Sequence, residues 1–197
     1  IAVTGSQKAL MLPTGLAFVA ASDRAWKIME NNPSPRFYLD LVAYRKSLDK
    51  QTTPYTPAVS LLFGLQEVLN ILETQGMDRV IARHRLMMKM TRAGIDALGL
   101  PLMTTEEAAS PTVTSVYGTE DFRVEDLRQT LSELNVIVAG GQQHLKGQIF
   151  RIGHMGYCEP SDILAVITTL EVALKKLNVP ISLGQGIQAA EEVWVRA

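Results

Sequence analysis

Between Thr112 and Leu177 the chain alternates between two hydrophobic periods, and this alternation limits its folds more than any other feature. Thr112-Val113-Thr114-Ser115-Val116-Tyr117 is rich in β-branched residues and reads as a strand. Val124 to Leu134 carries helical spacing, Val136-Ile137-Val138-Ala139 is a strand ending at Gly140-Gly141, and Gln148 to Gly153 is another strand. Ser161 is placed to cap a helix whose apolar positions run from Ile163 to Leu177. The order strand, helix, strand, strand, helix predicts an α+β unit with helices covering one face of a sheet. An amphipathic stretch, Gly186 to Val195, follows.

Upstream, Gly76-Met77-Asp78 separates two long helical patterns, Ala58 to Gln75 and Asp78 to Leu98. Gly99 and Pro101 close the second of these. This joint is the expected domain boundary, giving domains 1–75 and 76–197. Before it, Gln51-Thr52-Thr53-Pro54-Tyr55-Thr56-Pro57 cannot be helix interior, because two prolines interrupt it. The first segment reads as strand (Ile1 to Thr4), loop, strand (Leu16 to Ala21) and a helix from Asp23 to Glu30 capped by Asp23. Helix-like spacing also runs from Phe37 to Lys46.

Several classes of function are disfavoured. A net charge of -1 gives the whole molecule no pull toward nucleic acid or an anionic membrane. Arg79, Arg83, Arg85, Lys89 and Arg92 form the strongest local bias, and their spacing predicts a solvated helix face. No apolar run is long enough for a membrane span. A single cysteine, Cys158, and three scattered histidines offer no metal motif, so no bound metal is expected. The chain begins at Ile1 inside a strand pattern without a signal peptide, which points to a missing upstream piece and a cytoplasmic protein.

Three features could carry chemistry. Lys8 lies in the small-residue loop Gly5-Ser6-Gln7-Lys8, between two runs that read as buried strands. A buried neutral lysine can form a Schiff base with a carbonyl, whereas a loop lysine with a solvated head does nothing. Thr53 and Thr56 precede a helix N-terminus, where hydroxyls and free N–H groups either bind an anion or simply cap the helix. Arg151 sits among Ile149, Phe150 and Ile152. A guanidinium there needs an anion, whether a structural carboxylate or a ligand. Lysine, anion site and carboxylate-reading arginine together are what a pyridoxal phosphate (PLP) enzyme acting on amino acids requires.

The same residues resemble those of the class V aminotransferases, a family of PLP fold type I. The likeness is strongest to the serine–glyoxylate and alanine–glyoxylate (serine–pyruvate) aminotransferases and to relatives called soluble hydrogenase small subunits. It rests on Gly5-Ser6-Gln7-Lys8-Ala9-Leu10 with Pro13 and Gly15, Thr53-Pro54-Tyr55-Thr56-Pro57, Ala82-Arg83-His84-Arg85, Pro111-Thr112-Val113-Thr114 and Phe150-Arg151-Ile152-Gly153-His154-Met155-Gly156. The resemblance implies an α/β fold: the C-terminal part of the large PLP-binding domain, then a small α+β C-terminal domain. It implies that Lys8 is the Schiff-base lysine, that Gln7 helps hold the cofactor phosphate, and that Arg151 binds the substrate α-carboxylate. Thr56 matches a threonine that reaches the neighbouring subunit's cofactor phosphate in a homodimer with shared active sites. Thr53 stands where many glyoxylate-dependent members have a tyrosine, with its hydroxyl as a substitute, and Tyr55 stands where a histidine would be. The activity implied is transfer of an amino group from serine or alanine to glyoxylate or pyruvate. The alternatives are a non-catalytic or split-chain subunit, hydrogenase small-subunit-like, and another class V enzyme such as a desulfurase or lyase. In desulfurases the mobile-loop cysteine precedes the arginine, whereas Cys158 follows Arg151 beside Glu159-Pro160 and reads as structural. His144 and His154 flank the Arg151 strand and read as surface or packing residues.

Overall fold

Strands β1 (Ala2–Gly5) and β2 (Ala17–Ala20) pair antiparallel, with Ala2 opposite Ala20 and Gly5 opposite Ala17. In the computed structural model, which describes residues 1–197, the chain divides into two compact units, Ile1–Ile71 and Leu72–Ala197. The first unit adds α1 (Asp23–Glu30), α2 (Leu41–Leu48) and the start of α3 (Val59–Gln75). Ser22, not Asp23, caps α1, its side chain accepting from the N–H of Ala25, and Asp23 lies in the first turn instead. α2 begins later than the Phe37 to Lys46 pattern predicts, because Asp40 accepts the N–H of Val42 at 3.0 Å and nucleates the helix there. The apolar runs around Lys8 predict buried strands, yet Val3 is 68% and Val19 38% exposed. A two-stranded ribbon has no flanking strands of its own to cover it.

The second unit is the α+β layer structure that the alternating pattern predicts. α4 (Met77–Ala97) leads to β3 (Val113–Tyr117), α5 (Val124–Glu133), β4 (Ala139–Gly140), β5 (Ile149–Gly153), α6 (Pro160–Lys176) and α7 (Gln185–Val195). The sheet order is β3-β5-β4, antiparallel throughout. Register places Thr114 opposite Ile152 and Val116 opposite Phe150, and all four are buried. Val116, Phe150 and Ile152 join Met87 and Met90 of α4, Leu127 of α5 and Ile167 and Leu174 of α6 in one core. That burial is the main source of this unit's stability.

Chain reversals shape the sheet edge. α4 ends at Ala97, with Leu98 as its C-cap and Gly99 (φ 71°) next, as the Gly99 signal predicts, and Leu100 N–H returns to the Ile95 carbonyl at 3.2 Å. α5 ends the same way with Asn135 (φ 62°), and the N–H of Val136 bonds Leu131 O at 2.9 Å. β4 is therefore shorter than the predicted Val136–Ala139 strand. The N–H of Val136 is used by the helix end, and the carbonyl of Val138 accepts from Arg128. α6 starts before Ser161: Glu159 is the N-cap, in a capping box with Asp162, because Pro160 suits the first helical position. On α6, buried Glu171 accepts the N–H groups of Gly184 (2.7 Å), Gly186 (2.7 Å) and Ile187 (3.2 Å) and so caps α7 from outside.

Candidate active site

Lys8 is held by its neighbour Ser6. Ser6 is fully buried, and its hydroxyl donates to Pro13 O at 2.7 Å while accepting the N–H of Leu16 at 3.2 Å. Its backbone exchanges bonds with Leu16 O and the N–H of Leu12, both at 3.0 Å. The N–H of Met11 closes the turn on Lys8 O at 3.0 Å. The backbone under Lys8 is thus cinched to the second limb of the loop, and its side chain stands exposed beside that of Gln7. Exposure corrects the expectation of a buried lysine, and the reason is the open ribbon that carries it. No ion pair engages the Lys8 amine.

Thr53 and Thr56 lie in a segment organised by Tyr55. Tyr55 donates its hydroxyl to Phe37 O at 2.7 Å, and the ring of Tyr38 meets it edge-on at 4.9 Å. Thr53 donates its one hydroxyl proton to Tyr55 O at 2.8 Å, whereas Thr56 is exposed just ahead of α3. Tyr55 thus anchors this loop to the 37–38 turn. Lys8 and Gln7 place a primary amine and an amide on one turn, donor chemistry that fits an aldehyde-bearing phosphate ester such as PLP.

Arg151 belongs to the second unit, on the sheet face opposite the core. Its cross-strand neighbours there are Ser115 and Ala139, both small, which leave room for a half-buried guanidinium. Nε donates to Gly140 O at 2.9 Å, leaving the two terminal nitrogens free of bonds to the sheet. They border an open cleft of about 680 Å³, lined also by Glu125, Arg128, Gln142 and Lys146. A guanidinium fixed through Nε and open at its end is arranged for bidentate capture of a carboxylate.

Beyond Arg151 the chain is pinned by His154, a packing histidine, and by Arg83 and His84 of the Ala82-to-Arg85 motif, whose contacts the sequence left unassigned. His154 is fully buried with both ring nitrogens engaged: Nδ1 lies 3.1 Å from Pro111 O and Nε2 2.9 Å from Thr114 Oγ1. A carbonyl only accepts, so Nδ1 carries the proton and Nε2 accepts from the threonine. Burial holds the pKa of His154 down to about 4, against the opposing pull of the Pro111 carbonyl. His84 on α4 repeats the arrangement: Nδ1 meets Val80 O at 2.7 Å, and Nε2 accepts the N–H of Gly156 at 3.1 Å. Arg83 donates to Gly156 O at 3.1 Å and to Cys158 O, and lies 3.7 Å from Glu159. Arg83 thus departs from the solvated basic face predicted for it, whereas Arg79, Arg85 and Lys89 are exposed. The Arg83-His84 and Arg151-to-Gly156 motifs, remote in sequence, are one hydrogen-bonded assembly. Both motifs were visible in the sequence, but nothing in it showed that they meet.

Cys158 is half-buried, and its thiol is pushed up to about 11 by burial and by Asp162. It is a protonated thiol rather than a nucleophile. Its place is structural, as its position after Arg151 suggests. His144 lies exposed in a 3-10 turn, Gln143–Leu145. Lys8 and Gln7 share one turn, Thr53 and Thr56 another segment of the same unit, and Arg151 stands in the second.

The model of the family described as "Aminotransferase class-V" matches residues 1–171. The chain belongs to this family, whose members are PLP-dependent enzymes of fold type I. It is 43% identical over 192 residues to the "Soluble hydrogenase, small subunit" of Synechococcus sp., covering 96% of this chain and 50% of that protein. It is 36% identical to a serine–glyoxylate aminotransferase of Arabidopsis thaliana, covering 96% of this chain and 48% of that one. The crystal structure of pyridoxamine–pyruvate aminotransferase from Mesorhizobium loti superposes with a TM-score of 0.93 at 34% identity, over 98% of this chain and 51% of that one. The chain spans about half the length of the curated relatives it matches.

Proposed function

We propose that these residues serve a PLP-dependent aminotransferase that moves an amino group from a small amino acid, serine or alanine, to a 2-oxo acid such as glyoxylate or pyruvate. The observation that carries the reading is the Lys8 turn: an exposed, unpaired amine on a backbone that buried Ser6 holds at both limbs. Bound there, PLP would supply the electron sink for charge developing at the substrate Cα. Lys8 Nζ would hold the cofactor's aldehyde carbon and, once released, carry the Cα proton. Gln7 would help hold its phosphate, and Thr56 would hold the phosphate of the partner's cofactor. For Thr53 the remaining role is acceptance, since its own proton is engaged on Tyr55. Arg151 would hold the substrate carboxylate through its free terminal nitrogens and orient the Cα–H bond for loss.

Supporting the reading are the family membership and the in-order match of the motifs along the chain. The working form we propose is a cytoplasmic homodimer in which Thr56 faces the partner's cofactor. The half-length match also favours a further polypeptide segment that completes the phosphate site. The domain joint is proposed near Gly76, between α3 and α4.

The test is chemical. The protein is incubated with PLP, reduced with borohydride and digested, and the peptides are weighed. A pyridoxyl adduct on Lys8 that disappears in Lys8→Ala is the expected result. An adduct elsewhere, or equal labelling of Lys8→Ala, refutes the assignment and favours the subunit reading.

A further inference from the structure

Arg128 borders the same cleft as Arg151, and nothing in the sequence singled it out. From α5 it donates Nε to Val138 O at 3.3 Å and Nη1 to Glu125 Oε2 at 2.6 Å. Arg151 takes the next-but-one carbonyl, Gly140 O, at 2.9 Å. Two guanidiniums therefore grip one short stretch of backbone, and each keeps terminal N–H groups to spare. Gly140 is what lets them approach: a Cβ there would lie 2.9 Å from Arg128 Nη1. Summing those two contacts with the bonds between them puts Arg128 Nη1 and Arg151 Nε no more than about 10 Å apart. Lys146 adds a third cation to the lining, against Glu125 as its only carboxylate. On a chain of net charge -1 this is a local cationic excess.

We propose that the cleft is a two-anion site for a dicarboxylic amino or oxo acid of four or five carbons. Arg151 takes the α-carboxylate and Arg128 the side-chain carboxylate. The inference rests on the Arg151 reading and adds an acidic substrate class to the neutral ones. The carboxyl groups of a four-carbon diacid, with a hydrogen bond of about 2.8 Å at each end, bridge the two guanidiniums. Glu125 holds Arg128 in place and competes with the ligand for it.

The experiment is calorimetric titration of the full chain at low salt with succinate and with butyrate, which has the same four carbons and one carboxylate. Succinate binds roughly tenfold tighter, the usual worth of one charged hydrogen-bonded contact. Arg128→Gln removes that difference and leaves butyrate unchanged, Arg128→Lys restores part of it, and Glu125→Gln tightens succinate alone. A purely structural Arg128–Glu125 pair predicts no gain in Glu125→Gln. Equal binding of both acids by the unaltered chain, with both weakened in Arg151→Gln, overturns the Arg128 subsite and keeps the Arg151 reading. Binding of both acids unaffected by Arg151→Gln, or no saturable binding of either, overturns both. Circular dichroism confirms that each variant is folded.

Discussion

The two units of this chain are built by opposite means. In Ile1–Ile71 the only buried residues are Ser6 and Val68, while Phe37, Leu48 and Phe63 are 83%, 72% and 67% exposed. In Leu72–Ala197 the sheet and four helices enclose a continuous core that includes Phe150, Ile167 and Leu174, each wholly buried. The first unit is organised by polar bonds at single residues: Ser6 on the lysine loop, Asp40 on α2, Tyr55 on the threonine loop. The second is organised by packing, and its polar groups are buried within that packing. A loop pinned by one hydroxyl can be precise without a core beneath it, but it takes little stability from apolar burial.

The sharpest break of that contrast compares two phenylalanines. Phe150→Ala should cost the second unit about 3–5 kcal/mol, the range for deleting a buried aromatic ring. Phe63→Ala, on an exposed face, should change stability by less than about 0.5 kcal/mol. Urea unfolding followed by circular dichroism measures both, and equal effects would erase the distinction.

Next in size is the acid response. The folded pKa of His154, about 4, lies below its ordinary 6.5, so between these values the unfolded chain binds more protons. Its contribution is full above pH 6.5, falls as pH drops toward 4, and is then gone. The span corresponds to about 3 kcal/mol. His154→Gln should flatten unfolding free energy across that window in the second unit, and a curve as steep as the original would exclude His154 as the source. A smaller loss than that of His154 is expected at Glu171. Glu171→Gln keeps the shape but turns one acceptor oxygen into an NH2 donor facing a backbone N–H. At least one of the three bonds is lost and the others lose their charge, a loss of about 1–3 kcal/mol. Hydrogen exchange at Gly184, Gly186 and Ile187 should accelerate while exchange in β5 does not.

Much of the second unit was legible because its signals are local. Helical period, β-branched runs and the stop at Gly99 depend on neighbours a few residues away, and the strand and helix order followed from them. One error arose where a helix end and a side chain take the backbone groups a strand would use. Val136 to Val138 have strand-forming residues, but a helix end and Arg128 use their polar groups. The first unit misled differently: apolar runs around Lys8 read as buried, and hydrophobicity reports what a segment can bury rather than what covers it.

By itself the sequence determined the family and the α+β order of the second unit, and it singled out Lys8 and Arg151 as candidates. Those rest on residue type and spacing, which no folding is needed to see. Tertiary structure alone decided that Ser6 cinches the Lys8 turn, that Arg83 and His84 hold the segment beyond Arg151, and that Arg128 shares a cleft with Arg151. Arg83 reaches carbonyls 73 and 75 residues away, and no periodicity encodes a bond across that separation. Side-chain reach in three dimensions decides which polar groups meet, and for this chain it decided the surroundings of Arg151.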